Sequence, residues 1–230
     1  MNIFFITGID TGCGKTYATG RIAKVLRHCG FNVITSKLIQ TGCTGISEDI
    51  IEHRRLMECQ LLPEDLAGET CSYVFSYPAS PHLAAEIDNI EIKVSKLTDD
   101  INRLADKYDC ILVEGAGGLY VPILKNLLTV NFIKMNDYPV VLVASSKLGS
   151  INHSLMSLES CFTNNLHLKL VLYNRIPGDD EIIANETMLI IKEWLSLHYP
   201  EAMFVEIDSN DMNDKIITCF KIFIKPKLFV

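Results

Sequence analysis

The segment Gly8-Ile-Asp-Thr-Gly-Cys-Gly-Lys-Thr16 constrains this chain more than any other stretch of it. It follows an apolar run, Ile3-Phe-Phe-Ile6, and opens a stretch of helical spacing that reaches Gly30. A glycine-rich turn between a strand and a helix aims successive backbone N–H groups into one concavity at the helix N-terminus, where phosphate groups bind. In such a loop Lys15 supplies a point charge for the terminal phosphates and Thr16 a hydroxyl ligand for Mg2+. The spacing departs by one residue from G-x-x-x-x-G-K-[ST]: the pattern places its first glycine at Ile9, and the chain has it at Gly8.

A strand feeding a phosphate loop implies parallel strands, and those need helical crossovers. The rest of the chain keeps that rhythm. Strands are expected at 2–7, 32–37, 109–114, 140–145, 168–174 and 203–207, and helices at 15–30, 47–60, 93–107 and 180–198. Four runs, Ile3-Phe-Phe-Ile6, Ile111-Leu-Val113, Val140-Val-Leu-Val143 and Leu170-Val-Leu172, are apolar on consecutive residues, as in strands covered on both faces. The expected architecture is α/β of the P-loop NTPase fold, a mostly parallel central sheet with helices on both faces, in one domain over residues 1–230. Residues 61–81 hold three prolines and little periodicity, which predicts a long loop of the kind often used for function. The tail 215–230 alternates apolar and basic residues around Pro226 and reads as an edge strand or a surface-packed terminus, with a membrane-touching tail as the alternative; its role is unassigned.

A net charge of -7 without any run of Lys or Arg argues against a nucleic-acid partner. The N-terminal apolar run is short and lacks a basic flank, so it reads as a strand, neither signal peptide nor membrane span. The eight cysteines carry no CxxC pair and no zinc spacing, which suits reduced thiols in the cytoplasm.

The run Ile111-Leu-Val-Glu-Gly-Ala-Gly-Gly-Leu119 repeats the pattern of a buried strand passing into glycines. Its carboxylate, Glu114, falls at the C-terminal end of the strand, the edge where open α/β sheets bind ligands, and so is a candidate for the same Mg2+. The glycines leave backbone open to a close-approaching nucleotide or substrate. Lys37 ends the second expected strand at that same edge, where the residues alone read first as a solvated lysine and a site lysine is the alternative. Asp49 falls near the start of the next helix, where the helix dipole alone favours an acid.

Together these segments resemble the dethiobiotin synthetases, from residue 2 to about residue 175. The resemblance is carried by the loop 8–16, Lys37 with Thr41-Gly42, Ser80-Pro-His82, Val113-Glu-Gly-Ala-Gly-Gly118, Lys147-Leu-Gly-Ser-Ile-Asn152-His153 and Asn174. The one-residue departure in the phosphate loop is a feature of that family. Beyond Asn174 the likeness thins to Glu206-Ile207. The resemblance implies a homodimeric ligase of biotin biosynthesis that converts 7,8-diaminononanoate, CO2 and MgATP to dethiobiotin, ADP and phosphate. An N-carbamate and a carbamic-phosphoric anhydride would be the intermediates. It further implies Lys15 and Lys37 as catalytic residues, and Thr16, Asp49 and Glu114 as Mg2+ ligands. ATP would meet Gly12, Cys13, Gly14, Lys15, Thr16, Tyr17, Glu114, Gly115, Ala116, Gly117, Asn174 and Arg175, with Asn174 reading the adenine. Thr11 and Thr41 would touch the diamine or its carbamate. Gly149, Ser150, Ile151 and Asn152 would receive the substrate carboxylate from across the dimer interface, so each site would need two chains.

Two positions depart from the family pattern. Gly12 replaces a frequent acid, and Leu38 follows Lys37 in place of proline. A second reading, an ATP-controlled switch of the partitioning or iron-protein type, requires a lysine five residues before Lys15, and Asp10 stands there. An amide-forming relative would need a glutaminase domain beyond these 230 residues. His82 is expected either in the substrate pocket or as a helix-start residue, His153 at a surface or interface, and Cys13 as a small filler.

Overall fold

The computed structural model describes residues 2–222 and 224. In chain order its strands are β1 (Ile3–Gly8), β2 (Val33–Lys37), β3 (Gln40–Thr41), β4 (Val74–Phe75), β5 (Cys110–Gly118), β6 (Pro122–Leu124), β7 (Leu127–Leu128), β8 (Val140–Ser145), β9 (Leu168–Asn174) and β10 (Met203–Glu206). The helices are α1 (Lys15–His28), α2 (Glu48–Leu56), α3 (Pro63–Leu66), α4 (Pro81–Ile87), α5 (Val94–Lys107), α6 (Thr129–Met135), α7 (Ser150–Thr163), α8 (Glu181–His198) and α9 (Met212–Lys221).

Six strands form one sheet in the order β10-β9-β8-β1-β5-β2, and every pairing in it is parallel. These six match the six expected strands. β1, β2 and β8 are buried along their whole length, as parallel strands covered on both faces must be. β1 lies between β5 and β8, so the loop that follows it opens at the middle of the sheet's carboxyl edge. Lys37 lies opposite Glu114 in the β2–β5 register, which brings both to that edge. β5 runs four residues past its expected end, through the glycines. A side chain at Gly118 would meet the Gly8 carbonyl oxygen at 3.1 Å, and one at Gly115 the Phe5 ring at 2.8 Å, so both glycines permit strand contact.

Four helix starts bear on the site or its frame. The Ser47 hydroxyl caps α2 by accepting from the Ile50 N–H, and the Asp180 carboxylate caps α8. Helices α1 and α7 instead begin after glycines with φ of 97° and 91°, have no side-chain cap and carry no acid in the first turn. Neither start is closed by a side chain, although in α7 the Ser150 N–H already donates to the Lys147 carbonyl at 2.9 Å.

The stretch 61–81 is less open than its prolines suggest. It contains α3 and β4, and β4 pairs in parallel with β3. Asp65 makes a two-pronged ion pair with Arg54, at 2.7 and 2.8 Å, and accepts from Thr70 Oγ1 at 2.8 Å. Arg54 also donates to Thr35 Oγ1 at 2.7 Å, so one buried guanidinium ties this stretch to α2 and β2. The described part of the tail is helical, which replaces the strand reading. Met212, Ile216, Cys219 and Phe220 recur at helical spacing on its buried face, and the Phe220 ring packs 4.4 Å from that of Phe4. Residues 223 and 225–230, with Pro226, lie outside the described residues.

Candidate active site

A cavity of about 630 Å³ lies at the carboxyl edge of the sheet. Its walls include Thr11, Gly12, Gly14, Lys15 and Thr16 from the phosphate loop, and Lys37, Thr41, Asp49, Glu114, Ala116 and Gly117 from the surrounding elements. Residues from four separate sequence regions, 11–16, 37–49, 78–81 and 114–121, therefore close one space.

At its base, the Thr16 hydroxyl lies 3.0 Å from Asp49 Oδ1 and 3.0 Å from Glu114 Oε1. The Lys37 ammonium is 2.5 Å from Asp49 Oδ2 and 2.8 Å from Glu114 Oε1, and donates to the Gly115 carbonyl at 3.2 Å. Burial on its own would lower the Lys37 pKa, but the charges of Glu114 and Asp49 outweigh it and hold the group above the ordinary lysine value. Burial likewise opposes ionisation of Glu114, and the Lys37 charge with the His53 hydrogen bond overcomes it, so this carboxyl is held well below the usual range. Asp49 thus belongs to the cavity and is more than a helix-start acid.

The hydroxyl and two carboxylates fit Mg2+, a hard cation that commonly takes one or two carboxylates plus substrate phosphates. Among the described residues no group of three or more His, Cys, Asp and Glu side chains is arranged to hold a metal alone. The donor set therefore suits a metal that arrives with phosphate oxygens.

Lys15 curls back along its own loop, donating to the Asp10 carbonyl at 2.9 Å. Cys13 is buried over Gly8, where a side chain would meet its sulfur at 2.4 Å, which makes it a filler. Asn174 donates to the Cys13 carbonyl at 3.0 Å and occupies the space a Gly14 side chain would need, the nearest approach being 2.2 Å. The end of β9 is latched to the phosphate loop in this way.

Several expected residues lie outside the cavity lining. Tyr17 donates to Asp208 at 2.7 Å, and Arg175 is paired with Glu206 at 2.5 Å and with Asn185 at 2.6 Å. These contacts turn both towards the end of β10. Gly149, Ser150, Ile151 and Asn152 form the uncapped start of α7, apart from the cavity, with the buried Ser150 hydroxyl on Ser145 at 3.0 Å. His82 lines a different cavity, beside α4, and its Nδ1 is 3.1 Å from Ser80 Oγ, so the pocket alternative gives way to the helix-start one. His153 is half exposed, with its Nδ1 3.6 Å from Asp10 Oδ2.

Three contributions were not expected in the site, although Ser80 and Lys147 stand in segments that carry the resemblance. Pro78, Ala79 and Ser80 line the cavity from the far end of the 61–81 stretch, for which Ser80-Pro-His82 is the only local signal. Lys147 places its ammonium 3.5 Å from the Gly12 carbonyl. His53 is fully buried, its Nε2 2.8 Å from Glu114 Oε2. The signal for His53 is its position four residues after Asp49, which puts both on one helix face.

A family model described as an AAA domain matches residues 2–199. The fold is shared with a ParA family ATPase from Chlorobium tepidum (TM-score 0.51, 16% identity, 96% of this chain and 92% of that one). It is shared too with pNOB8 ParA bound to nonspecific DNA (TM-score 0.57, 12% identity, 96% and 99%). At such identities the likeness establishes the P-loop NTPase fold alone. The sequence is 49% identical over 206 residues to the ATP-dependent dethiobiotin synthetase BioD 2 of Haemophilus ducreyi, covering 90% of this chain and 98% of that protein. It is 42% identical over 212 residues to the enzyme of the same name, BioD, from Chlorobaculum tepidum, covering 92% and 89%. With that identity over nearly the full length of its relatives, the chain belongs to the ATP-dependent dethiobiotin synthetase family.

Proposed function

We propose that this protein is a dethiobiotin synthetase, an ATP-dependent ligase that carboxylates 7,8-diaminononanoate with CO2 and closes the ureido ring, releasing ADP and phosphate. The observation that carries the reading is the convergence of Lys15, Thr16, Lys37, Asp49 and Glu114 on one cavity beneath the uncapped start of α1.

In this reading the N–H groups of the phosphate loop and Lys15 hold the terminal phosphates. Thr16, Asp49 and Glu114 hold Mg2+, which neutralises phosphate charge when bound. One amine of the substrate takes CO2 as a carbamate and releases a proton. The carbamate oxygen then attacks the γ-phosphorus and ADP leaves. The second amine attacks the carbonyl of the mixed anhydride, expelling phosphate and closing a five-membered ring. Ring closure is intramolecular, so proximity supplies much of its rate. Lys37, held protonated by two carboxylates, serves as a fixed positive charge beside the carbamate and the moving phosphoryl group, and not as a base. Thr11 and Thr41, which both line the cavity, contact the diamine or its carbamate. The α7 start, Gly149 to Asn152, takes the substrate carboxylate of a second copy, which makes the working unit a homodimer with composite sites.

The adenine falls beyond Gly14, next to Asn174, with Tyr17 and Arg175 at its border. A cytoplasmic site of action and one domain over residues 1–230 complete the reading. No helix among the described residues is long and apolar enough to cross a membrane. Purified protein supplied with the diamine, bicarbonate and MgATP should release phosphate in a diamine-dependent manner and form dethiobiotin. ATP hydrolysis indifferent to the diamine would refute the reading.

A further inference from the structure

We propose that His53 is a positioning residue that holds Glu114 by one oxygen, leaves the other for the cation, and thereby sets the preference for Mg2+ over larger divalent ions. The proposal rests on the metal site described above.

Asp49 and His53 are four residues apart on α2 and reach the same carboxylate cluster from one helix face. Asp49 borders the cavity, whereas His53, with no exposed surface, approaches from behind. The two oxygens of Glu114 are divided between these sides. Oε1 faces Thr16 at 3.0 Å and Lys37 at 2.8 Å, and Oε2 faces His53 Nε2 at 2.8 Å. Among the described residues no other hydrogen bond reaches Oε2. A carboxylate paired with lysine only accepts, so the imidazole proton is on Nε2. That tautomer leaves Nδ1 as the bare nitrogen, and Nδ1 is the buried atom without a partner among the described residues. A histidine kept only for packing has no need to face the one free oxygen of a buried acid.

The consequence follows from ion size. Mg2+ accepts six ligands at about 2.0–2.1 Å and takes carboxylates by one oxygen, whereas Ca2+ takes six to eight at about 2.3–2.6 Å and readily uses both. With Oε2 committed to His53, Glu114 offers one oxygen. Partners of this kind behind a metal ligand typically change metal affinity about 10- to 100-fold when removed.

The test is binding of Mg2+ and of Ca2+ to protein saturated with the β,γ-imido analogue of ATP, for the parent and for His53→Leu, His53→Gln and His53→Asn. Gln presents an N–H near the Nε2 position, and Asn is too short to reach Oε2. His53→Leu and His53→Asn should lose about tenfold in Mg2+ affinity and less in Ca2+ affinity, so the Mg2+/Ca2+ ratio falls. His53→Gln should keep the parental ratio. If Leu does not fold, the Asn–Gln pair decides. Equal ratios in all folded variants would overturn the role of His53 while leaving the metal site in place. No metal binding by the parent beyond that of the free nucleotide would overturn the metal site and the proposal together.

Discussion

Lys37 is wedged between two carboxylates in a site that must also accept a tetra-anionic nucleotide. Its ammonium balances Asp49 and Glu114 before any ligand arrives, so the acids are already gathered at 2.5 and 2.8 Å from one cation. Replacing Lys37 with Ala removes that balance and the charge offered to the reacting centre. The expected result is a fall in kcat of about 10²-fold or more with a much smaller change in the KM for ATP, read from steady-state kinetics. Asp49→Asn tests the other partner. It should raise the Mg2+ concentration needed for half-maximal activity while leaving the thermal midpoint close to that of the parent, because Asp49 is a quarter exposed at the cavity and not part of the core. A parental Mg2+ titration in that variant would return Asp49 to the status of a helix-start acid.

Helix α1 carries Lys15 and Thr16 and helix α2 carries Asp49, with the Thr16 hydroxyl 3.0 Å from Asp49 Oδ1, so the separation of the two helices is part of the site. Gly20 sets it: a side chain there would lie 2.6 and 2.7 Å from Leu56 Cδ1 and Cβ. Gly20→Ala gains about 1 kcal/mol of helix propensity, but overpacking a tight contact costs about 1–3 kcal/mol. Clash should win, and a drop in denaturation midpoint together with a raised Mg2+ requirement would show it. Gly20 illustrates what a sequence hides, since nothing local distinguishes it from a propensity defect and its reason lies on another helix. Four of the six sheet strands were legible because burial on both faces writes itself as consecutive apolar residues, and β2 and β10 because they keep the alternation of strand with helix. Lys15, Thr16 and Glu114 were legible because each ends or follows such a strand, whereas Lys37 read as a solvated lysine and is drawn into the cavity by the β2–β5 register that sets it against Glu114. His53 and the wall from Pro78 to Ser80 were not, for their roles depend on how α2 and the 61–81 stretch fold back over the sheet edge. Of the two readings of the tail, its described part drops the edge strand and keeps the packed terminus, with Ile216, Cys219 and Phe220 at helical spacing on the buried face of α9.

On the scale of the molecule, the Arg54–Asp65 pair joins α2, β2 and the 61–81 stretch, and its titration should be visible in global stability. Burial would raise the Asp65 pKa, but the Arg54 hydrogen bonds and charge reverse this and hold it below the ordinary carboxylate value. A depressed acid contributes stability above its unfolded pKa and loses it as the folded group is protonated. The contribution should therefore be complete at neutral pH and decline once the pH falls below about 4. Asp65→Asn should cost about 3–5 kcal/mol at pH 7, by leaving Arg54 buried and unpaired, and should flatten the acid limb of the denaturation profile. The proposed dimer predicts complementation. Mixing Lys37→Ala with Asn152→Ala homodimers under exchange, at low diamine, should restore about a quarter of parental activity, since half the dimers would be mixed and each would hold one intact site. Exchange confirmed by mass without recovery would exclude the cross-subunit carboxylate site. The strand order has its own consequence, and it concerns the ribosome. β1 is made first, yet its neighbours are β5 and β8, with Ile3 opposite Ile111 and Phe5 opposite Val140. β2 has only β5 to pair with in the sheet. β1 and β2 are thus synthesised before β5, the strand that lies between them. Both sheet neighbours of β1 come later in the chain, β5 at residues 110–118 and β8 at 140–145, so the sheet edge that bears the phosphate loop is completed only by contacts of long sequence separation.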